Sequence, residues 1–121
     1  MNTSDRELLE LAAKAAGLTI VGSITSILND DDGWLETTDN GPDRLWNPLT
    51  NDGDALRLAV RLYLDINQFP ATDGYVGMIE IWRNGDGDPA HVEYVKAGDD
   101  RLIATRRAIV RAAAEIGRNM K

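Results

Sequence analysis

RLWNPLTNDGDALRLAVRLYLDI, the stretch Arg44–Ile66, holds the features that decide the fold. Asn47 precedes a proline, and a residue in that position is biased out of the helical region, so the first part should be extended. Asn51 is a favourable N-cap with Asp54 three residues later, which predicts that a helix begins here. Apolar residues then recur over a wide sector, so we expect this helix to be largely buried. They are Ala55, Leu56, Leu58, Ala59, Val60, Leu62 and Tyr63.

The acidic NDGD of this stretch could instead be a metal loop or a pair of catalytic carboxylates. A calcium loop of the EF-hand type needs oxygen ligands at positions one, three and five, glycine at six and glutamate at twelve. With Gly53 at six, Pro48 falls at one and Leu58 at twelve, so the pattern fails. The acidic turn NDDDG fails similarly, with Leu28 at one and Asp39 at twelve. The turn NGDGDP offers Asn84, Asp86 and Asp88 at one, three and five, but it has Pro89 at six and Val95 at twelve. We therefore predict no metal site, and we expect NDGD to start a helix beside a core anchor, Trp46.

On the N-terminal side of this stretch, the pattern predicts a helix, a strand and a segment of undecided strands. Ser4 begins a capping box before a helix from about Asp5 to Ala16, and Gly17 fits a left-handed C-cap. Leu18–Leu28 alternates between apolar and polar residues, as a half-buried strand with a bulge would. The number of strands within Asn29–Pro48 stays open.

On the C-terminal side, the pattern predicts a hairpin and a final helix. Tyr75–Arg83 and Ala90–Lys96 flank the turn NGDGDP, and a helix follows over about Arg101–Arg118 with Leu102 in its buried stripe. Hairpin-connected strands with segregated helices indicate an α+β fold. We predict a single domain over residues 1–121. It should have an antiparallel sheet of three to four strands and three helices, in the order α-β-(β)-α-β-β-α.

Length and composition are those of an ordinary soluble domain. The chain has 121 residues, of which 43% are hydrophobic and 27% are charged. The absence of cysteine excludes disulfides, thiol nucleophiles and thiolate metal sites. No apolar run approaches the length of a membrane span, and the polar start MNTSDRELLE is unlike a signal peptide. We therefore expect a protein of the cytoplasm with no membrane contact.

Charge is distributed unevenly within the net charge of −7. Met1–Asp100 holds 19 acids against 7 bases, whereas Arg101–Lys121 holds 1 acid against 6 bases. The acidic body argues against direct nucleic-acid binding, which needs cations facing phosphates. The arginines of the last helix either form a surface for nucleic acid or an acidic partner, or offset the chain's own acids, and we favour the second interpretation. They are Arg106, Arg107, Arg111 and Arg118.

Few residues are candidates for catalysis. His91 is the only histidine, and strand alternation places it on the side of Glu93 and Val95, where we expect solvent. No serine lies in a GxSxG nucleophile elbow, so no catalytic triad can be assembled. We predict a non-enzymatic protein with no catalytic residue.

The tryptophans and the charged clusters are the best binding candidates. Trp34 lies in an acidic loop and Trp82 near the hairpin turn, where an exposed aromatic side chain would mark an interface. The acidic run NDDDG offers carboxylates to a basic partner. The candidate binding residues are Asp30, Asp31, Asp32, Trp34, Trp82, Arg107 and Arg111.

Three segments carry a resemblance to known proteins: WNPLTNDGDALRLAVRL in the middle, ATRRAIVRAAAEIG near the end and ELLELAAKAAG near the start. They resemble a group of small bacteriophage and prophage proteins of unknown function, and more loosely the NinX-type phage proteins. The resemblance does not extend to residues 18–43 or to the hairpin. Because that group has no established activity, the resemblance implies only context: a phage-encoded accessory protein inside a bacterial cell.

Two hypotheses about function follow. The first is a non-enzymatic phage accessory protein that binds a host macromolecule, such as a component of host defence, through an acidic surface. The alternative is a protein that binds or sequesters a small nucleotide-like ligand with its arginines and tryptophans. Neither hypothesis implies a cofactor, and both are compatible with a homodimer.

Overall fold

The computed structural model describes residues 4–25, 32–38, 41–72 and 74–120, and within residues 21–44 it describes the backbone alone. In this part of the chain, three helices and six strands follow one another. They are α1 Asp5–Ala16, β1 Thr19–Thr25, β2 Asp32–Thr38, β3 Gly41–Trp46, α2 Asp52–Arg61, β4 Leu64–Phe69, β5 Gly77–Arg83, β6 His91–Val95 and α3 Arg101–Arg118. The predicted α+β class, with three helices and antiparallel strands, is confirmed.

The described strands form two antiparallel sheets, a first sheet in the order β1-β2-β3 and a second sheet in the order β4-β5-β6. The strand predicted over Leu18–Leu28 is present as β1, and the expected bulge is confirmed by the register shift between Ile20 and Gly22. The undecided segment Asn29–Pro48 contains β2 and β3. With β4 added, the structure has more strands than the sequence analysis predicted.

Local capping signals set the ends of α1 as predicted. The Glu7 N–H donates to Ser4 Oγ at 3.2 Å, which satisfies a donor that the first helical turn leaves unpaired. At the other end, Gly17 has a left-handed φ of 71°, a conformation that glycine adopts without a Cβ clash. Both signals act within a few residues, so they can be identified without knowing the tertiary structure.

Helix α2 ends earlier than its apolar pattern suggested, and a strand follows. Leu62 is the C-cap, and Tyr63 has a φ of 55°, in a region that residues other than glycine seldom adopt. The chain then continues directly as β4, Leu64–Phe69. Ile66 is half-buried and Asp65 is exposed, which is the alternation of a strand with one covered face.

The expectation that α2 is largely buried is wrong. Ala55 and Leu58 are buried against the core, but Leu56, Val60 and Tyr63 are 61%, 67% and 75% exposed. Only one side of the helix packs, against α3 and β4. A wide apolar sector in a sequence therefore does not require burial on all sides.

Helix α3 lies at the centre of the packing and contacts α1, α2, β5 and β6. Two contacts show that it runs parallel to α1. Asp5, the first residue of α1, lies 3.3 Å from Nη1 of Arg107 in the first half of α3. Lys14, near the end of α1, donates from Nζ to the carbonyl of Met120, just after α3, at 3.1 Å. Small side chains at the contact allow the two axes to approach closely. Gly117 lies against the Leu11 backbone, and both helices carry buried alanines: Ala12, Ala13 and Ala16 on α1, and Ala108, Ala112, Ala113 and Ala114 on α3. Leu102, predicted to be buried, is exposed, because the buried stripe of α3 begins at Ala108.

Candidate functional site

The second sheet has one face covered by helices and one face open to solvent. The covered face holds Ile79 and Ile81, which are fully buried in the core shared with α2 and α3. On the opposite face, the register pairs Phe69 with Met78 and Met78 with Tyr94. Because paired residues of antiparallel strands share a face, an apolar row crosses all three strands on the solvent side.

We call this side the open sheet face. It consists of Asp65, Asn67 and Phe69 on β4, Met78, Glu80 and Trp82 on β5, and Val92 and Tyr94 on β6. The side chains of Phe69 and Tyr94 are 43% and 70% exposed. A solvated sheet face usually carries polar residues, and adjoining apolar residues on a surface mark interaction sites. The open sheet face is therefore the best candidate for a binding surface in the described part of the chain.

Trp82 stands at one end of this face, beside a cleft. Its indole Nε1–H donates to Glu80 Oε1 at 3.1 Å, and Asp65 lies directly opposite it on β4. The cleft has a volume of about 380 Å³. Its lining comes from the adjoining ends of β4 and β5 and from the turn that follows. The lining residues are Asp65, Ile66, Asn67, Trp82, Arg83, Asn84, Gly85 and Asp86.

Two carboxylates of the cleft are free to contact a ligand. Asp65 and Asp86 are both exposed, and within the described residues neither side chain makes an ion pair or a hydrogen bond. Glu80, whose carboxylate accepts the hydrogen bond from the indole N–H, is half-buried on the same face. Two of these three acids are therefore available to attract a cation to the place where Trp82 lines the cleft.

The four arginines of α3 that the sequence singled out, Arg106, Arg107, Arg111 and Arg118, pair with acids of the same chain. This agrees with the favoured interpretation that they offset the chain's own charge. Arg107 Nη1 lies 3.3 Å from Asp5, and Arg111 Nη1 donates to both carboxylate oxygens of Glu93 at 2.8 and 3.0 Å. The other two pairs are Arg106 with Asp52 and Arg118 with Glu115.

The structure does not bring the candidate arginines together with Trp82. Arg111 lies on α3 and bonds to Glu93, which the register places beside the buried Ile79 on the covered face of the second sheet. Trp82 belongs to the open face of the same sheet. The sheet therefore separates the two groups that a nucleotide-binding site made of arginines and tryptophans would have to combine.

Two of the remaining candidates, Asp32 and Trp34, belong to β2 of the first sheet. Asp30 and Asp31 lie outside the described residues. Asp32 begins β2, and the backbone of Trp34 pairs with Ser23 and with Trp46. The side chains of Asp32 and Trp34 lie outside the described part, so their role in binding stays a prediction.

His91 occupies a different environment from the one predicted. It shares a side with Glu93, as expected, but that side faces α3 and not solvent. Its Nε2 lies 2.8 Å from Glu93 Oε1, and both side chains are mostly buried, at 26% and 17% exposure. Glu93 thus joins His91 and Arg111 in a polar contact between β6 and α3, which is a structural role.

The acidic NDGD builds the start of α2, as predicted. Asn51 Oδ1 accepts from the Asp54 N–H at 2.9 Å, so Asn51 is the N-cap. Asp54 is itself buried and accepts from the Asn47 N–H at 2.9 Å and from Arg57 Nη2 at 2.7 Å. The carboxylate of Asp54 thereby ties the extended segment before the helix to the first helical turn. In the sequence, Asp54 was only one of the signs that a helix begins after Asn51, and this link to Asn47 was not predicted.

Replacing Asp54 by alanine should lower the free energy of unfolding by about 2 kcal/mol, because the buried Asn47 N–H then loses its acceptor. Asp52 is a matched control, since it is also a first-turn acid but its side chain is 66% exposed. Asp52→Ala should cost less than about 1 kcal/mol, as expected for a surface ion pair. Urea denaturation of both variants measures the difference, and equal losses would contradict the assigned role of Asp54.

Sequence analysis found Trp82 but missed most of its surroundings. Asp65 and Phe69 were not candidates, because no strand was predicted in the segment that forms β4. Tyr94 was not a candidate either, although its strand was predicted over Ala90–Lys96. The signal was present in LDINQF, where Leu64 and Ile66 alternate with polar residues. This two-residue period is short, and it directly follows a helical pattern that masks it.

Among the described residues, no group of three or more histidine, aspartate or glutamate side chains could hold a metal ion. None of the described helices is long and apolar enough to cross a membrane. No family model, curated protein or solved structure matches this chain.

Proposed function

We propose that this protein is a non-enzymatic accessory protein, encoded by a bacteriophage or prophage, that binds a basic host protein through the open sheet face. The observation that carries the proposal is the combination of exposed aromatic and acidic side chains on one solvent-facing side of the second sheet. Phe69 and Tyr94 offer apolar contact area, and Asp65 offers a free carboxylate. Exposed aromatic anchors surrounded by polar residues are the usual composition of protein interfaces.

The charge of the chain supports a basic partner. The residues before α3 hold 19 acids against 7 bases, and the arginines of α3 are engaged within the fold. Such a body attracts cationic surfaces and speeds their association. The cationic nucleic-acid groove of a host-defence enzyme in the bacterial cytoplasm has this character. The phage context rests on the resemblance of WNPLTNDGDALRLAVRL, and Asp30, Asp31 and Asp32 stay predicted as a further acidic contact.

A nucleotide-like ligand has less support. Arg107 and Arg111, the arginines proposed to hold it, make ion pairs with Asp5 and Glu93. A ligand phosphate would have to displace these carboxylates, and the second sheet would separate it from Trp82. The cleft beside Trp82 is lined by two free carboxylates, Asp65 and Asp86, against one guanidinium, Arg83, so a phosphate would meet net negative charge there.

The proposal can be tested by capture of a partner from a bacterial host lysate with the tagged chain, followed by binding measurements on the purified partner. Tyr94→Ser removes an exposed aromatic side chain from the open sheet face and should raise Kd about tenfold or more, as loss of an interface anchor does. Tyr63→Ser is the matched control, because Tyr63 is similarly exposed but lies after α2. It should leave Kd unchanged.

Salt provides a second measurement on the same complex. Exposed charges are screened beyond about 8 to 10 Å at physiological ionic strength, so the association rate should fall as salt is raised. A Kd that responds equally to both tyrosine variants, or an association rate that is indifferent to salt, would contradict the proposal. A rise in Tm with nucleotides, without any captured protein, would favour the alternative.

A further inference from the structure

We infer that the cleft beside Trp82 is a pocket for a cationic side chain, the guanidinium of arginine or the ammonium of lysine, presented by the partner. This inference rests on the proposed function, because it assigns the chemistry of one contact within the open sheet face. It assigns the aromatic wall to Trp82 and the anionic wall to Asp65 and Asp86.

The position of the indole is fixed within the sheet. Trp82 and Glu80 lie two residues apart on β5, so both side chains are on the open face, and the Nε1–H of the indole donates to Glu80 Oε1 at 3.1 Å. This hydrogen bond occupies the only polar group of the ring. The part of Trp82 that lines the cleft can therefore offer a ligand its π-system, which attracts cations.

Two carboxylates line the cleft together with this ring. Asp65 lies opposite Trp82 in the β4–β5 register, and paired side chains on one face are neighbours. Asp86 comes from the turn after β5 and lines the same cleft. Neither side chain has an ion-pair or hydrogen-bond partner among the described residues, so binding a cation would break no existing contact of theirs.

The composition of the cleft selects against other ligand classes. Arg83 is the one basic residue of its lining, against two free carboxylates, so an anion would meet net negative charge. The volume of about 380 Å³ is at the lower end of the range of small-ligand sites, about 300–1,000 Å³, and it accommodates one long side chain. The planar guanidinium of arginine can stack on an aromatic ring while it donates to carboxylates, which makes arginine the better fit of the two cations.

Nuclear magnetic resonance of the full chain tests this pocket directly. Short oligo-arginine and oligo-lysine peptides with blocked ends are the probes, and a glycine–serine peptide of the same length is the neutral control. The indole N–H signal of Trp82, identified with Trp82→Phe, should shift and saturate with oligo-arginine and, more weakly, with oligo-lysine. The neutral peptide should leave it unchanged.

Asparagine variants distinguish binding in this cleft from nonspecific attraction of the peptide to the acidic surface. Asp65→Asn and Asp86→Asn should each raise the Kd of oligo-arginine about fivefold or more, because each removes a charge in contact with the cation. Asp88→Asn makes the same change two residues from Asp86, at an exposed turn residue outside the cleft lining. The Kd of oligo-arginine for Asp88→Asn should stay within about twofold of the wild-type value, because this variant loses only a charge that solvent and salt screen from the bound peptide. All these substitutions are at exposed positions, and dispersed amide signals verify that each variant is folded.

Two outcomes would overturn the pocket: equal weakening by all three asparagine variants, or peptide-induced shifts that spread over the acidic surface and leave the Trp82 indole unmoved. If the peptide experiments contradict the pocket in this way while Tyr94→Ser still weakens binding of the captured partner, the proposed function stands and only this inference is wrong. If the peptide saturates the Trp82 signal while capture is indifferent to Tyr94→Ser, the pocket stands and the proposed interface is wrong.

Discussion

Trp46→Ala is expected to lower the free energy of unfolding by about 3 to 5 kcal/mol, as truncation of a buried aromatic residue does. Trp46 is only 2% exposed, and among the described side chains it is the largest that is buried in the core. It ends β3 immediately before Asn47, whose N–H is held by Asp54. The substitution therefore opens a cavity at the point where the first sheet joins α2.

Chemical denaturation with Leu45→Ala as control measures this effect. Leu45 is the preceding residue of the same strand, but its side chain is 43% exposed, so its truncation should cost less than about 1 kcal/mol. If Trp46→Ala unfolds at the same denaturant concentration as wild type, the view of LWNPLTNDGDAL as an architectural segment is wrong. A catalytic or metal-binding NDGD would instead give variants that keep stability and lose activity.

Gly117→Ala is expected to lower the free energy of unfolding by about 3 kcal/mol or more, at the upper end of the range for overpacked cores. A Cβ added at Gly117 would lie 2.0 Å from the Leu11 carbonyl oxygen, so the backbones of α1 and α3 would have to move apart. Alanine is the better helix former by about 1 kcal/mol, which offsets only part of this loss. Separation of the helices would also loosen the buried alanine side chains between them.

Gly53→Ala is the matched control, because it makes the same change within α2. An added Cβ there would lie 3.2 Å from Arg57 Nη1 and from Asn51 Oδ1, side-chain atoms that need to shift by only a few tenths of an ångström and can keep their hydrogen bonds. Stability should therefore change by less than about 0.5 kcal/mol, and thermal and urea unfolding of both variants would measure the contrast. A Gly117→Ala variant as stable as Gly53→Ala would show that α1 and α3 do not approach as closely as the structure places them.

The binding surface could be predicted only in part, because its residues come from three strands. Trp82 was identified from its place near a hairpin turn, where an aromatic side chain needs an explanation. Asp65 and Phe69 were not, because their relation to Trp82 exists only once β4 pairs with β5. For Arg107 and Arg111, composition indicated that they offset internal acids, but their partners, Asp5 and Glu93, are distant in sequence.

The sequence by itself determined the features that depend on a few neighbouring residues. The cap at Ser4, the left-handed Gly17, the Asn51 start of α2 and the hairpin turn after Arg83 all follow from local hydrogen bonding and backbone sterics, which act within one turn of chain. Because these local signals mark where most helices and strands begin and end, the order of the elements, and from it the α+β class, could be predicted.

The tertiary structure decided which of two equally apolar surfaces is buried. Leu58 and Leu56 are the same residue type on the same helix, yet one is in the core and the other is exposed. Tyr63, which follows the C-cap of α2, has a left-handed conformation that no local signal required, and this directs the chain into β4. Both outcomes depend on where α3 and the second sheet lie, because burial is a property of contacts between elements and not of the residues that supply them.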